Sequence, residues 1–420
     1  MSKLAIDGGE KIQKTPFPQW PKFDRNAERS VIGAMRSGKV NYWTGLCGRN
    51  FESAWSKWLG CRNAITVSNG TAALHLALTA LGVGSGDEVI CTSYSFIASS
   101  FCALQAGAIP VFCDVGEDHI IDPSKIEPLI TKRTKAIVVV HLYGIVADMD
   151  PIMSVAKAHG LFVVEDCAQC IGGVYKGRKA GTIGDAGCFS FCHSKQITTG
   201  GEGGMVCCNN DALAWTIRSL RDHGTDVKTK LEGKSSTSAR PYSHIRVGYN
   251  FRMTELQSAI GLSELARYDE WNLVRRRKLG RKLVAALSKH PLVKFAPVDT
   301  DERVNSYWLA PFVLKEELLT VPVSRFIEAV QAEGVGAYAI FWPEMYREEA
   351  YVKRVGFGRR NYPFNDPANG NPEWSAVDCP VARKMASATI AFWTHPTYTM
   401  RNMDADIKAF RKVACAYMKH

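Results

Sequence analysis

Between residues 50 and 210 the chain alternates between unbroken apolar runs and segments with helical spacing. The apolar runs are short and rich in Val, Ile and Leu, as buried strands are, and most of the segments between them end at glycine, as helices do. The predicted strands are 64–69, 87–93, 109–115, 135–142 and 161–167, and the predicted helices are 71–82, 96–107, 122–130 and 149–160. This alternation predicts an α/β fold whose mostly parallel sheet is covered by helices on both faces.

The pattern changes after about residue 213. A polar stretch, 225–245, is expected to be a surface loop, and a long helical pattern follows over 253–287. The remainder mixes short strands and helices, with a loop rich in Asn, Pro and Gly at 356–373. We therefore predict a large domain over residues 1–287 and a smaller α+β domain over 288–420.

Composition narrows the class of protein. The chain has 420 residues, is 46% hydrophobic and carries a net charge of +11. Its basic residues are dispersed, and the densest run, 275–278, is interpreted as a solvated helix face. We therefore predict that the ligand is an anionic small molecule and not nucleic acid. A nucleic-acid binder would show salt-dependent binding to DNA, which an assay can detect. Because no apolar run has the length of a membrane span or signal-peptide core, we expect a cytoplasmic protein with no membrane partner.

Thirteen cysteines are scattered through the sequence, many of them inside apolar runs. Cys167 and Cys170 have CxxC spacing, but no second pair or histidine cluster completes a zinc site. We interpret the cysteines as reduced core residues and expect no metal.

Two of the predicted strands are followed by residues that suit a ligand. Gly70 and Thr71 open a helix whose N-terminal N–H groups can bind a phosphate, although a plain turn with a threonine cap explains them equally well. Phe96 follows the second strand. From the residues alone it is interpreted as a core aromatic at a helix start, with a position at the ligand edge of the sheet as the alternative.

Charged residues stand at the ends of later strands. Glu165 and Asp166 end an apolar strand, where a carboxylate loses hydration unless an ion pair or a functional partner stabilises it. Ser190 ends the next apolar run, and Lys195 follows five residues later, just before the four glycines of 200–204. Lysine is rarely buried without a reason, and glycine lets other groups approach the backbone closely.

Together these strand ends offer an amine, an anion, a flat aromatic and a phosphate site. Pyridoxal phosphate needs all four: an amine to bind its aldehyde, an anion against its ring nitrogen, a stacking face and a phosphate cradle. Each signal is weak alone, but their order on successive strands is specific. The residues therefore indicate pyridoxal phosphate as the cofactor.

The chain closely resembles the DegT/DnrJ/StrS family of pyridoxal-phosphate sugar aminotransferases, from about residue 38 to 265 and more loosely to the C-terminus. The stretches that carry the resemblance are "NYWTG", "FESAWSKWLG", "VSNGTAALHLAL", "GDEVICTSYSFIAS", "GAIPVFCDV", "VVEDCAQCIGGVYKGRKAGTIGDAGCFSF", "SKQITTGGEGGMV" and "GYNFRMTELQSAIG". Two segments, 225–245 and about 360–372, are longer than is usual in the family. Loops of this kind often line the sugar pocket.

The resemblance implies the aspartate-aminotransferase fold and a homodimer whose active sites lie at the subunit interface. It assigns Lys195 as the catalytic lysine that binds the cofactor as a Schiff base, and Asp166 as the carboxylate paired with the ring nitrogen. The other implied cofactor contacts are Gly70, Thr71 and Ser190 at the phosphate, Phe96 stacked on the ring, Gln169 beside the phenolic oxygen, and Asn250 reaching the phosphate from the other subunit.

The activity that the resemblance implies is transfer of an amino group from glutamate or glutamine to a keto-sugar, nucleotide-linked or phosphorylated, or to a keto-cyclitol. Pyridoxamine phosphate is the intermediate form of the cofactor. A sugar dehydratase of the same fold is an alternative, but such relatives replace the lysine by histidine, whereas here Lys195 is present and His193 lies two residues earlier. A non-catalytic regulator of the same fold is a further alternative, for which a degraded cofactor site would be expected.

Overall fold

The structure is a computed structural model that describes residues 3–231, 243–340 and 342–419. Its strands are β1 (Asn63–Val67), β2 (Glu88–Thr92), β3 (Ile109–Cys113), β4 (Thr134–Val140), β5 (Phe162–Asp166), β6 (Val174–Tyr175), β7 (Arg178–Lys179), β8 (Ala186–Ser190), β9 (Gly204–Cys208), β10 (Val293–Phe295), β11 (Arg303–Val304), β12 (Leu309–Leu314), β13 (Ala337–Ala339) and β14 (Thr389–Trp393). Its helices are α1 (Arg25–Arg36), α2 (Cys47–Leu59), α3 (Gly70–Ala80), α4 (Ala98–Ala106), α5 (Met149–His159), α6 (Asp211–Arg221), α7 (Val227–Leu231), α8 (Glu255–Ala266), α9 (Val274–Leu287), α10 (Val323–Ala332), α11 (Glu349–Val352), α12 (Pro380–Ala388) and α13 (Met400–Tyr417).

A seven-stranded sheet forms the centre of the molecule, in the order β1-β9-β8-β5-β4-β2-β3. β9 runs antiparallel to both of its neighbours, and the other adjacent strands pair in parallel. The mostly parallel α/β sheet predicted from the sequence is confirmed. Its topology brings the carboxyl ends of β1, β8, β5, β4 and β2 to one edge, which is where the predicted site residues follow their strands.

The strands are apolar throughout because both faces of the sheet are buried. In β4, Ile137 and Val139 pack into one hydrophobic core and Ala136 and Val138 into the other, and all four side chains are fully buried. Successive side chains of a strand point to opposite faces, so a sheet between two helical layers needs apolar residues at every position.

A second, antiparallel sheet has the order β10-β12-β14-β13. Its core includes residues of α9, α10 and α13 and also Leu4 near the N-terminus. The backbone N–H of Ala5 donates to Glu333 Oε1 (3.0 Å), and that of Gln13 donates to the Glu333 carbonyl (2.9 Å). The N-terminal segment therefore packs on the C-terminal region, and the domain boundary at 287/288 stays a prediction.

Three secondary-structure predictions need correction. The helix predicted over 122–130 is two 3₁₀ turns, Pro123–Lys125 and Glu127–Leu129, because Pro128 has no backbone N–H with which to continue a helical ladder. The Asp122 side chain caps the first turn by accepting from the N–H of Ser124 (3.0 Å). The long helix predicted over 253–287 is interrupted by a π-helical turn at Tyr268–Leu273 between α8 and α9. The loop predicted over 225–245 contains the short helix α7, and its residues 232–242 lie outside the described part of the chain.

The basic run 275–278 is only partly a solvated face. Arg275 and Lys278 are exposed, but Arg276 is fully buried. Its guanidinium lies 5.3 Å from the centroid of the Trp20 ring, and its Nε donates to Asn272 Oδ1 (2.7 Å). Among the helices of the described residues, none is long and apolar enough to cross a membrane.

A buried ion cluster anchors β1, the strand that leads to Gly70. The Glu52 carboxylate on α2 accepts hydrogen bonds from Arg218 (2.9 Å) and Arg221 (2.8 Å) on α6. It also accepts from the N–H and hydroxyl of Thr66 on β1, both at 2.9 Å. Burial raises the pKa of Glu52, but the charges of the two arginines outweigh it, and the pKa lies below the ordinary value.

We expect Glu52→Gln to lower the free energy of unfolding by about 3–5 kcal/mol, because the fully buried Arg221 loses its counter-charge. Urea unfolding at neutral pH measures the loss. The lowered pKa gives a second signature: the wild type has this stability in full above the ordinary carboxyl pKa and loses it as pH falls through the lowered pKa, whereas the variant lacks that dependence. Glu117→Gln, at an ion pair whose carboxylate is 61% exposed, is the control and should change stability by about 0.5 kcal/mol or less. An equal effect of both changes would contradict the role of the cluster.

Candidate active site

The turn between β1 and α3 lies beside the end of β8 at the carboxyl edge of the sheet. The Asn69 side-chain oxygen accepts from the N–H of Ala72 (2.8 Å), and the Asn69 backbone carbonyl accepts from the N–H of Ala73 (3.1 Å). Within the described residues, no acceptor is assigned to the N–H groups of Gly70 and Thr71. A Cβ on Gly70 would lie 2.7 Å from the Ser190 Cβ, so glycine is needed for this approach. The arrangement places two helix-start N–H groups next to a serine hydroxyl, which is chemistry suited to a phosphate.

Asp166 ends β5 and is almost completely buried. Its Oδ2 accepts from the Ser99 hydroxyl of α4 (2.7 Å), and its Oδ1 accepts from the N–H of Ala168 (3.0 Å). Burial raises the pKa of Asp166 above its ordinary value, against the opposing effects of Ser99, Ala168 and the nearby charge of Lys195. Ser99 was not among the residues predicted at the site, although a serine at the start of an apolar helix on the same sheet edge as an acid was a usable signal.

Lys195 is half-buried in the loop after β8, and two tryptophans hold its backbone. Trp20 Nε1 donates to the Lys195 carbonyl (3.0 Å), and Trp308 Nε1 donates to the Ser194 carbonyl (2.8 Å). The Lys195 Nζ lies 4.3 Å from the centroid of the Trp308 ring. Burial lowers the pKa of this amine, and the charge of Asp166 only partly opposes the shift. An amine with a lowered pKa is a stronger nucleophile at neutral pH.

Gln169 lies close behind the same edge. Its side-chain oxygen accepts from the backbone N–H of Tyr143 (2.8 Å), which follows β4. Tyr143 has a φ of 60°, a left-handed conformation that bulky residues rarely adopt. The Gln169 contact thus helps to hold a strained turn next to Asp166.

The position of Phe96 differs from the core position expected from the residues alone. It is 51% exposed, so it is not a core aromatic at the start of α4. It follows β2 at the carboxyl edge of the sheet, and its ring is about half exposed there among the described residues. This is the ligand-edge alternative.

Glu165 faces away from Asp166 and has no free acceptor. It takes hydrogen bonds from the N–H groups of Gly181 (2.8 Å), Ile183 (2.7 Å) and Gly184 (2.7 Å) and contacts His141 Nε2 (3.0 Å). The side chains of Cys167, Glu165 and His141 are of types that can bind a metal ion, and their ligand atoms all lie within 4.8 Å of one another. Because both carboxylate oxygens are already used, we interpret this group as a support for the loop that leads to β8.

Asn250 lies one residue before Phe251, whose carbonyl accepts from the backbone N–H of Ser68 (2.8 Å) near the turn at Gly70. It is exposed on the segment 243–250, and its backbone pairs with that of Asp222. Within the described residues, no hydrogen bond joins it to Lys195 or to the turn at Gly70. The neighbouring Val247 is 89% exposed, which is unusual for an apolar side chain of this size.

The segment at about 360–372 is one of the two long segments named above as similar to loops that line the sugar pocket. In this chain Asn369 accepts from the N–H of Gly86 (2.8 Å) and donates to the Gly107 carbonyl (2.9 Å). Asp366 accepts from Ser85 Oγ (2.6 Å). These partners precede β2 and β3, at the amino edge of the sheet, opposite Asp166. This part of the segment therefore packs on the amino edge of its own chain, and a role at the pocket stays a prediction.

Comparisons with known proteins agree with this arrangement. Residues 21–370 match the model of the DegT/DnrJ/EryC1/StrS aminotransferase family. The chain is 40% identical over 329 residues to the GDP-perosamine synthase of Caulobacter vibrioides, covering 77% of this chain and 83% of that protein. It is 36% identical over 341 residues to the L-glutamine:2-deoxy-scyllo-inosose aminotransferase of Streptomyces paromomycinus, covering 79% of this chain and 78% of that protein. The crystal structure of an aminotransferase from Psychrobacter cryohalolentis superposes with a TM-score of 0.86 at 34% identity, over 96% of this chain and 99% of that one.

We expect Ser99→Ala to raise the pKa of Asp166 further, because the lost hydroxyl stabilises the ionised carboxylate. The carboxyl ¹³C shift of labelled aspartate, assigned by comparison with Asp166→Asn, follows the titration. Ser100→Ala is the matched control: the adjacent hydroxyl contacts Tyr351 instead (2.8 Å), so this change should leave the titration in place. An unchanged Asp166 titration in Ser99→Ala would show that the contact has no electrostatic role.

Proposed function

Because the chain belongs to the DegT/DnrJ/EryC1/StrS aminotransferase family, we propose that it is a pyridoxal-phosphate enzyme that transfers the amino group of glutamate or glutamine to a ring ketone. The acceptor is a keto-sugar, nucleotide-linked or phosphorylated, or a keto-cyclitol, as the names of the similar proteins suggest. One observation carries the proposal: Asp166 ends β5 and Lys195 follows β8, the strand paired with β5, so that an acid and an amine stand at one edge of the sheet.

The residues present fit pyridoxal phosphate by their chemistry. The N–H groups of Gly70 and Thr71 and the Ser190 hydroxyl suit its phosphate, and the exposed ring of Phe96 offers a stacking face. Burial raises the pKa of Asp166, so the ionised carboxylate gains from a cationic N–H placed against it. A protonated pyridine nitrogen is such a group, and this supports Asp166 as its partner.

When bound, pyridoxal phosphate supplies an aldehyde that captures amines and a ring that accepts electrons. Asp166 would hold the ring nitrogen in its protonated form through a charge-assisted hydrogen bond, and Ser99 donates to the carboxylate and fixes its position. The Lys195 amine would hold the cofactor between turnovers. When free, this amine would act as the base that accepts a proton from the donor's α-carbon and, in the second half, as the acid that gives a proton to the carbon that becomes the amine-bearing centre of the acceptor.

The structure favours transamination over dehydration by the same fold. A dehydratase would use a histidine in place of the lysine, and the candidate here is His193. Its side chain is exposed, and its backbone N–H donates to the Gly201 carbonyl (2.8 Å). Its imidazole Nδ1 contacts Cys192 Sγ (3.5 Å). Lys195, in contrast, is half-buried and placed against Trp308 near Asp166.

We further propose a homodimer in which Asn250 serves the neighbouring subunit. Asn250 and Val247 are exposed in the single chain, and no hydrogen bond of the described residues places Asn250 at its own site. A polar amide on a segment that also exposes Ile245 and Val247 is well suited to reach across a twofold interface.

The activity predicts a separable first half-reaction. Glutamine or glutamate alone should convert the cofactor chromophore to its aminated form and release one keto acid per site. A ring ketone added afterwards should restore the spectrum and appear as an amine by mass.

Lys195→Ala should lose the chromophore and the first half-reaction. Borohydride reduction of the wild type followed by peptide mapping should find the cofactor on Lys195. Label on another lysine, or loss of water from the acceptor without net transfer of nitrogen, would overturn the proposal.

Subunit mixing tests the shared site. Lys195→Ala and Asn250→Asp should each be nearly inactive, the second because a carboxylate repels the phosphate. In a mixed dimer, one site then contains both changes and the other contains neither, so an equal mixture should regain about a quarter of wild-type activity. If Asn250 serves its own chain, every mixed site carries one change, and verified subunit exchange restores nothing.

A further inference from the structure

Trp342 lies on the segment that follows β13, far in sequence from the residues of the site, yet its side chain packs among aromatic rings at the carboxyl edge of the sheet. Its ring is parallel to that of Tyr143, with an interplanar angle of 8° and a centroid distance of 6.1 Å. It lies 6.3 Å from the ring of Tyr94 and 6.4 Å from the ring of Phe96. The C-terminal region therefore contributes an aromatic side chain to the neighbourhood of the cofactor residues.

The surface below Trp342 is rigid. Tyr94 and Tyr143 are fully buried, and their hydroxyls are hydrogen-bonded at 3.0 Å. Tyr143 is in turn fixed by the bond from its N–H to Gln169 Oε1 (2.8 Å). Trp342 thus packs on Tyr143, whose backbone N–H is hydrogen-bonded to Gln169, one of the proposed cofactor contacts.

The upper part of this aromatic group is open. Phe96 is 51% exposed and Trp342 is half-buried. Within the described ranges, the indole N–H of Trp342 donates to no protein acceptor, and this N–H is not a buried unsatisfied atom, so it is open to solvent. An indole with an accessible edge and a free N–H combines an apolar surface with a hydrogen-bond donor.

We propose that Trp342 binds the ring of the amino acceptor. The ligand is a six-membered polyhydroxylated ring, whose C–H groups pack on the indole while one ring hydroxyl accepts from Nε1. This inference rests on the proposed function, because it takes the cofactor to lie on Phe96, beside Trp342. Glutamine and glutamate are acyclic and present no ring to this wall, so Trp342 contributes to the acceptor step more than to the donor step.

The test separates the two half-reactions in the cofactor-loaded enzyme. Trp342→Ala should lower kcat/KM for the acceptor by about 10- to 100-fold, as expected for loss of an aromatic contact and a hydrogen bond. Conversion by glutamine should stay within about twofold. Trp342→Phe keeps a flat ring without the N–H and should lose about three- to tenfold in the acceptor step. The two acceptors are scyllo-inosose and a GDP-linked keto-hexose, which distinguish a free cyclitol from a nucleotide-linked sugar.

Inhibition by fragments gives a readout that a packing role would not produce. scyllo-Inositol carries only the ring and GDP carries only the nucleotide. Trp342→Ala should weaken inhibition by the ring-bearing fragment at least fivefold and leave inhibition by GDP unchanged. Trp215→Ala, at a half-exposed tryptophan on α6, is the matched control and should change neither.

The outcomes separate this inference from the proposed function. If the wild type does not react with glutamine or glutamate, the proposed function fails, and the inference fails with it. If the donor half is intact and Trp342→Ala leaves the acceptor kcat/KM within about twofold, only the role of Trp342 fails. An equal loss in both half-reactions, or in inhibition by both fragments, would also overturn it and would show that Trp342 supports Tyr143 structurally.

Discussion

Two adjacent buried carboxylates at the end of β5 are the constraint on which the site depends. Glu165 and Asp166 point to opposite faces of the strand, as successive residues of a strand must. On one side, Glu165 collects three backbone N–H groups of residues 181–184 and fixes the loop that enters β8. On the other side, Asp166 stays in a low-dielectric position with only Ser99 and one backbone N–H to stabilise its charge. One carboxylate is satisfied within the chain, and the other keeps acceptor capacity for a ligand.

The position of Lys195 follows from this arrangement. Because Glu165 fixes the entry to β8, and β8 pairs with β5 and β9, the loop after Ser190 begins at a defined place on the sheet edge. Trp20 from the N-terminal segment and Trp308 from the start of β12 then hold the two carbonyls around Lys195. The N-terminal segment itself packs on the C-terminal region through Glu333. The lysine is therefore positioned by three separate parts of the chain, so changes remote from the sheet can alter its geometry.

The sequence predicts the part of this structure that is encoded locally. Apolar strands, glycine-ended helices and the residues at strand ends identify the sheet and the edge that bears Asp166 and Lys195. Contacts between distant segments have no local pattern: Trp20 is 175 residues from Lys195 and Trp308 is 114 residues from Ser194. The same limit explains Arg276, where a run of four basic residues indicated a solvated face although the second of them is buried against Trp20. Phe96 shows the converse, because its apolar character suggested a core position although about half of its side chain is exposed.

The pKa shifts of Asp166 and Lys195 connect the burial of these two groups with ligand binding. Burial raises the pKa of Asp166 and lowers that of Lys195, so both shifts favour the neutral forms and oppose an internal ion pair. The pair is thus a poor source of stability, as buried charges often are. The same shifts suit chemistry: an amine closer to neutrality attacks an aldehyde more readily, and a carboxylate short of positive partners binds a protonated ring strongly. The cost of burying the Asp166 carboxylate would therefore be offset by a cationic group placed against it, such as the protonated ring nitrogen of the proposed cofactor.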